Sequence, residues 1–274
     1  MFVRFRKFAA IGACTVLSLS GLWAGSPSAY AEAPGNPQPQ ASSTDPVFDE
    51  RIAAFHSVNS VTGQEFRTCT ASFLGDNWWL TAQHCDPASG DYLKQSDGER
   101  AEITEVHLLS EDDDIALLKV ADGIEAKQFD LPDTLPEQGS IIDLIGFAIG
   151  RDFASVATLE VKSFIEKYPQ GAGIPYKDLI VASSITPSRT CEGDSGGPGY
   201  VGNTIIGVHT AGGQNLECED GEGRLSWLTA LTPERVEWIS SIVGRGAEDV
   251  PVINDEAESQ WNLSSYLLLS SSWR

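Results

Sequence analysis

Cys191-Glu192-Gly193-Asp194-Ser195-Gly196-Gly197-Pro198 sets a serine between glycines, with an acid immediately before it. Glycine lets the backbone turn tightly and leaves its N–H groups unshielded. A serine in such a turn projects its hydroxyl while neighbouring N–H groups converge on one spot. That is the arrangement of a nucleophile beside an anion-stabilising pocket. The alternative is an ordinary Gly-rich surface turn. The residues elsewhere in the chain discriminate between the two.

A serine hydroxyl needs a base to take its proton. The chain has four histidines: His56, His84, His107 and His209. His84 lies in Thr81-Ala82-Gln83-His84-Cys85, where a β-like run ends and a cysteine follows, a setting that can hold an imidazole still. A neutral imidazole needs an acceptor to set its tautomer. Asp114 precedes the apolar run Ile115-Ala116-Leu117-Leu118 and can be drawn inward with it. Asp112 and Asp113 read as solvated members of a charge run.

Around these motifs the chain offers many short β-like runs. They are Arg51–Val58, Phe66–Leu74, Trp78–Thr81, Ile103–Leu109, Ile115–Val120, Ile141–Phe147, Ala157–Ile165, Asp178–Ala182 and Thr204–His209, separated by Gly, Asp, Pro and Ser. This pattern predicts an all-β domain, barrel or sandwich. One helix is expected over Thr232–Val243. Thr232 suits the N-cap, Pro233 the first helical position and Gly244 the stop. Val236, Ile239 and Val243 form one apolar stripe.

The ends read differently. Arg4, Arg6 and Lys7, an apolar stretch from Phe8 to Trp23, and Ala29-Tyr30-Ala31 make a signal-peptide pattern over residues 1–31. The apolar stretch is shorter than the ~20 residues a spanning helix needs. Residues 32–50 read as a flexible leader or short pro-segment, and residues 245–274 as an acidic tail. The formal charge of −21 becomes more negative once the basic leader is removed. Such a surface repels nucleic acid and anionic membranes. Four cysteines follow the leader, Cys69, Cys85, Cys191 and Cys218, and in an exported chain they predict disulfides with three possible pairings. No CxxC occurs, so no structural zinc is expected. No cofactor and no metal are called for, and no loop has EF-hand spacing.

Three of these motifs resemble the chymotrypsin/trypsin family of serine proteases. TAQHC is similar to the family's TAAHC, Asp114-Ile115-Ala116-Leu117-Leu118 matches DIALL, and CEGDSGGP matches the nucleophile motif. Their order, His then Asp then Ser, is also the family's. The resemblance spans about residues 51–244. It implies two six-stranded antiparallel β-barrels with a C-terminal helix over that span. It implies a secreted, monomeric endopeptidase acting on a protein or peptide substrate. His84 would be the general base, Asp114 its orienting acid and Ser195 the nucleophile. The N–H groups of Gly193 and Ser195 would form the oxyanion hole. The disulfides implied are Cys69–Cys85 and Cys191–Cys218. A catalytically inactive, protease-like binding module is the competing function.

The chain departs from the family at two places. The animal members pair Asp194 with a new N-terminal amine from an Ile-Val-Gly-Gly-like start, and no such string lies upstream of Cys69. Arg151 is the candidate substitute cation. Six residues before Ser195, where trypsin-like members carry Asp, stands Arg189, followed by Thr190. His209 resembles the histidine that contacts the substrate carboxylate in glutamate-specific bacterial members. Arg189, Thr190 and His209 together point to cleavage after an acidic residue, with small or apolar preference, and then basic preference, as the alternatives.

Overall fold

The computed structural model describes residues 46–148, 151–168, 176–187, 190–212 and 222–244. The expected signal peptide, most of the leader, the acidic tail, Arg189 and Cys218 lie outside the described residues.

The described residues form two closed antiparallel barrels of six strands each, followed by one helix. The first barrel holds β1 (Ile52–Val58), β2 (Glu65–Gly75), β3 (Trp78–Thr81), β4 (Tyr92–Lys94), β5 (Arg100–Leu108) and β6 (Ala116–Val120), closed in the order β1-β2-β3-β6-β5-β4. The second holds β7 (Ile141–Gly146), β8 (Ser155–Lys167), β9 (Lys177–Ser184), β10 (Pro198–Val201), β11 (Thr204–Gly212) and β12 (Leu225–Ala230), closed as β10-β11-β12-β9-β8-β7. Closure removes the exposed edges that an open sheet would leave. Trp79, Phe55, Leu80, Leu93, Ile103 and Leu117 are fully buried in the first barrel. Leu144, Leu159, Ile180, Ile206 and Leu228 fill the second.

All nine expected runs are strands or contribute to one. Three strands escaped the reading. β4 has only three residues, β10 opens on Pro198 directly after the glycine motif, and β12 (LSWLTA) is buried at most positions and so shows no clean alternation. The helix α1 spans Pro233–Val243 and ends on Gly244 in the left-handed region. Thr232 does occupy the N-cap, but its hydroxyl makes no cap bond; its carbonyl accepts from Val236 N–H at 2.9 Å instead. Residues 46–50 are not loose against the body. Val47 N–H bonds Ala154 O at 2.8 Å, and Asp49 chelates the Arg51 guanidinium.

Candidate active site

β2 and β3 bring the first pieces together. β3 ends at Thr81, whose hydroxyl donates to Thr70 O on β2 at 2.7 Å. A single turn, Gln83–Cys85, follows and carries His84. Cys85 is bonded to Cys69 on β2, so the turn is fixed on both sides of the imidazole. His84, Cys69 and Cys85 cluster closely, but the two sulfurs are in the disulfide and offer no thiolate to a metal.

Asp114 reaches His84 from the loop between β5 and β6. It is fully buried. Its Oδ2 lies 2.8 Å and its Oδ1 3.0 Å from His84 Nδ1, and Oδ1 also accepts the His84 backbone N–H at 2.9 Å. A carboxylate beside Nδ1 holds the proton on that nitrogen, which leaves Nε2 as a lone-pair acceptor. The other histidines have different company. His56 stacks on Tyr92, and His107 meets Trp78 and Glu105.

Asp113 corrects the sequence reading. It is not solvated but 2% exposed. Arg235 of α1, itself 1% exposed, donates from Nε to Asp113 Oδ1 at 2.7 Å, and Ser110 Oγ donates to Oδ2 at 2.5 Å. Gln83, with its amide nitrogen facing the loop, donates to Asp113 O at 2.5 Å and Ser110 O at 2.8 Å. The loop that delivers Asp114 is therefore tied to the helix and to the His84 turn.

Ser195 comes from the second barrel. Asp194 N–H bonds Cys191 O at 3.1 Å and closes a four-residue turn with Gly193 third, at φ +98°. That position of a type II turn demands positive φ, which is why glycine stands there. Gly196, at φ +81°, lies so close to the first barrel that an added Cβ would meet Thr70 O at 2.3 Å and Ala82 N at 2.9 Å. Ser195 is thus pressed against the segment that carries His84. No hydrogen bond joins the Ser195 hydroxyl to His84 among the described residues. Gly193 N–H and Ser195 N–H likewise donate to no described residue, and two such groups can hold an anionic oxygen.

Asp194 is buried, and burial pushes its carboxyl up to about 7, opposed by the Cys191 N–H bond at 2.8 Å and by the charge of Arg151. No ion pair within 4.0 Å reaches it among the described residues, and its Oδ1 has no hydrogen-bond partner there. The expected Arg151 partnership is therefore a field effect rather than a contact. Beyond Ser195, Thr190 Oγ1 lies 2.7 Å from Ser226 Oγ, both buried. Gly212 sits between Thr190 Oγ1 and His209 Nε2, 2.7 and 3.7 Å from where its Cβ would stand. His209 is 2% exposed. Burial, helped by the nearby charge of His84, pushes it down to about 3, so its ring is neutral at pH 7. The Ala211 and Asp194 backbones interact with the ring, but neither ring nitrogen has a well-formed hydrogen bond.

A family model described as Trypsin matches residues 49–231, which takes in both barrels. The chain belongs to the trypsin family. Among its relatives is an uncharacterized peptidase of Corynebacterium glutamicum, 22% identical over 184 residues, covering 65% of this chain. The chain spans 64% of that relative's length. Human kallikrein-8 is 26% identical over 204 residues, covering 64% of this chain and 77% of the kallikrein. The crystal structure of an inactivated protease paralogue of the scabies mite superposes with a TM-score of 0.57 at 19% identity, covering 72% of this chain and 96% of that one. The two barrels are the chymotrypsin-like fold.

In this trypsin-family chain the predicted His84, Asp114, Ser195 and Gly193 converge at the junction of the barrels. Thr190 and His209 both lie against Gly212. Cys69–Cys85 is formed, and Cys191 is disulfide-bonded, with Cys218 outside the described residues. Sequence reasoning missed Thr70, Gln83, Ser226 and Arg235. Gln83 carried a signal, since it replaces an alanine of the family's TAAHC. The others carry none that a single sequence displays. Tyr176, whose ring centre stands 6.3 Å from that of His84, was missed for the same reason.

Proposed function

We propose that this chain is an exported serine endopeptidase in which Ser195, His84 and Asp114 act as nucleophile, base and orienting acid. The observation that carries the reading is the bidentate seat of His84 Nδ1 on buried Asp114, beside a turn whose Gly193 and Ser195 N–H groups meet no acceptor among the described residues. Ser195 Oγ bonds the scissile carbonyl carbon while its proton passes to His84 Nε2. Gly193 and Ser195 N–H receive the oxyanion. The C–N bond then breaks as His84 returns the proton to the leaving amine. Water, losing a proton to His84, attacks the acyl carbon, and Ser195 leaves with that proton. Asp114 stays ionised throughout and stabilises the imidazolium. Export accords with the Cys69–Cys85 bond and with the leader pattern.

The pocket favours an acidic residue before the cleaved bond. Its described wall offers the Thr190–Ser226 hydroxyl pair, which keeps one proton free after their mutual bond, and the single N–H of a neutral imidazole, and both of these can donate to a carboxylate. Glu192, exposed at the rim, opposes this preference. A peptide set varied only at that residue tests it. Cleavage after Glu should lead, and His209→Leu should reduce it selectively. Faster cleavage after Lys or Phe defeats the assignment.

A protease-like binding module is the second reading. It is favoured by Asp194, which is buried and has no ion pair among the described residues, and by the likeness to an inactivated paralogue. A fluorophosphonate probe separates the two readings. Labelling of the wild type but not of Ser195→Ala supports the peptidase, and an unlabelled wild type supports the binding module.

A further inference from the structure

Thr70 stands where the two barrels meet, is fully buried, and has every polar atom engaged. Its N–H donates to Ser195 O at 2.8 Å. Its carbonyl accepts from Thr81 Oγ1 at 2.7 Å. Its hydroxyl accepts from Phe147 N–H at 2.9 Å and lies 3.0 Å from Gly193 O. A hydroxyl has one proton. Phe147 brings its own, so the Thr70 proton goes to Gly193 O.

This bond holds the Gly193–Asp194 peptide by its oxygen. The bond from Asp194 N–H to Cys191 O holds the same peptide by its nitrogen. Clamped at both ends, it anchors the turn from which Gly193 N–H projects. The other end of the hydroxyl's reach is Phe147, next to Gly146, which is backed onto Asp194 so closely that an added Cβ would stand 2.9 Å from Asp194 Cα. Thr70 therefore joins three segments: by its hydroxyl the nucleophile turn and the exit of β7 that lies against Asp194, and by its carbonyl the end of β3 that leads into the His84 turn.

We infer that the Thr70 hydroxyl is a positioning group for the oxyanion site, acting through Gly193 and not on the substrate. The inference rests on the peptidase reading above. A buried hydrogen bond to a group that must not move contributes most where charge develops, so its loss falls on the transition state more than on substrate binding.

The test compares Thr70→Val, which keeps the shape and removes the hydroxyl, with Thr70→Ser, which keeps the hydroxyl. Fluorophosphonate labelling of wild type comes first, then kcat and KM on a peptide amide and inhibition by a peptide boronic acid, which adds to Ser195 and places an oxygen in the oxyanion site. For the valine variant kcat should fall roughly ten-fold or more with KM within about two-fold, and boronate affinity should fall in parallel. The serine variant should recover most of both. If valine does not fold, Thr70→Ala carries the same comparison. Unchanged kcat and boronate affinity in the hydroxyl-free variant overturn the inference, as does a serine variant as impaired as valine. A wild type that takes no label overturns the peptidase reading and this inference with it.

Discussion

Replacing Arg235 by methionine should unfold the domain far more readily than a substitution on an ordinary helix face. The guanidinium is buried and bonds Asp113 Oδ1 at 2.7 Å, Ala230 O at 2.7 Å, Lys177 O at 3.1 Å and Asp178 O at 3.3 Å. Methionine leaves those carbonyls without this donor and leaves the Asp113 carboxylate with Ser110 and, at 3.5 Å, Lys177. Removing one partner of a buried ion pair costs about 3–5 kcal/mol, because the other charge stays buried. For a domain of this size that is a fall of roughly 6–20 °C in Tm. Urea denaturation at neutral pH measures it. The double variant Arg235→Met/Asp113→Leu should recover most of the loss, since the charges that then lose a partner, Lys177 and Asp178, are part-exposed and none is fully buried. The pH dependence has a definite sign. Burial pushes the Asp113 carboxyl up, but the Ser110 hydrogen bond and the charges of Arg235 and Lys177 outweigh it and hold it below its ordinary value. A carboxyl lowered by folding stabilises the native state above its unfolded pKa of about 4 and loses that contribution as pH falls through the folded value. The gap between wild type and Arg235→Met should therefore be widest near neutrality and shrink in acid. A loss under about 1 kcal/mol, or a double variant no more stable than the single one, would refute the reasoning.

Two further perturbations test the site. His209→Gln should change how stability responds to pH: a ring held near 3 costs stability as pH falls below the unfolded value of about 6.5, so from pH 7 to 5 the variant should gain about 2 kcal/mol on wild type. A wild-type-minus-variant difference that does not move between those pH values, read by urea denaturation, means that His209 is not a buried neutral ring. Gly196→Ala should abolish Ser195 labelling and destabilise by about 2–4 kcal/mol, because the new Cβ meets Thr70 O at 2.3 Å with φ at +81°; a variant that labels normally contradicts the close approach of the barrels.

Much of the fold was legible because its strands are short, punctuated by turn residues and apolar at regular intervals. The buried pattern of β12 and the brevity of β4 hid them, since a strand buried on most sides loses the alternation that marks it. In the site, His84, Asp114 and Ser195 were legible from their immediate neighbours. Asp113 was not. In sequence it belongs to a run of four acids, Glu111 to Asp114, and it is the arrival of Arg235, 122 positions later, that pairs its charge inside the fold. Thr190 and His209 stood out in the sequence as candidates, whereas Ser226, the partner of Thr190, lies 36 positions away on a strand that carries no motif.

By itself the sequence determined which groups are candidates for the chemistry, because a serine in a glycine turn, a stapled histidine and an acid at the head of an apolar strand each need particular residue types side by side. It also determined the all-β character, through local periodicity and turn chemistry. Only the tertiary structure decided how those groups are held. The bond from Thr70 to Gly193 spans 123 positions, and no local pattern anticipates which buried hydroxyl meets which carbonyl. That choice is made when two barrels close and press together, since every polar group caught at their junction must find its partner there.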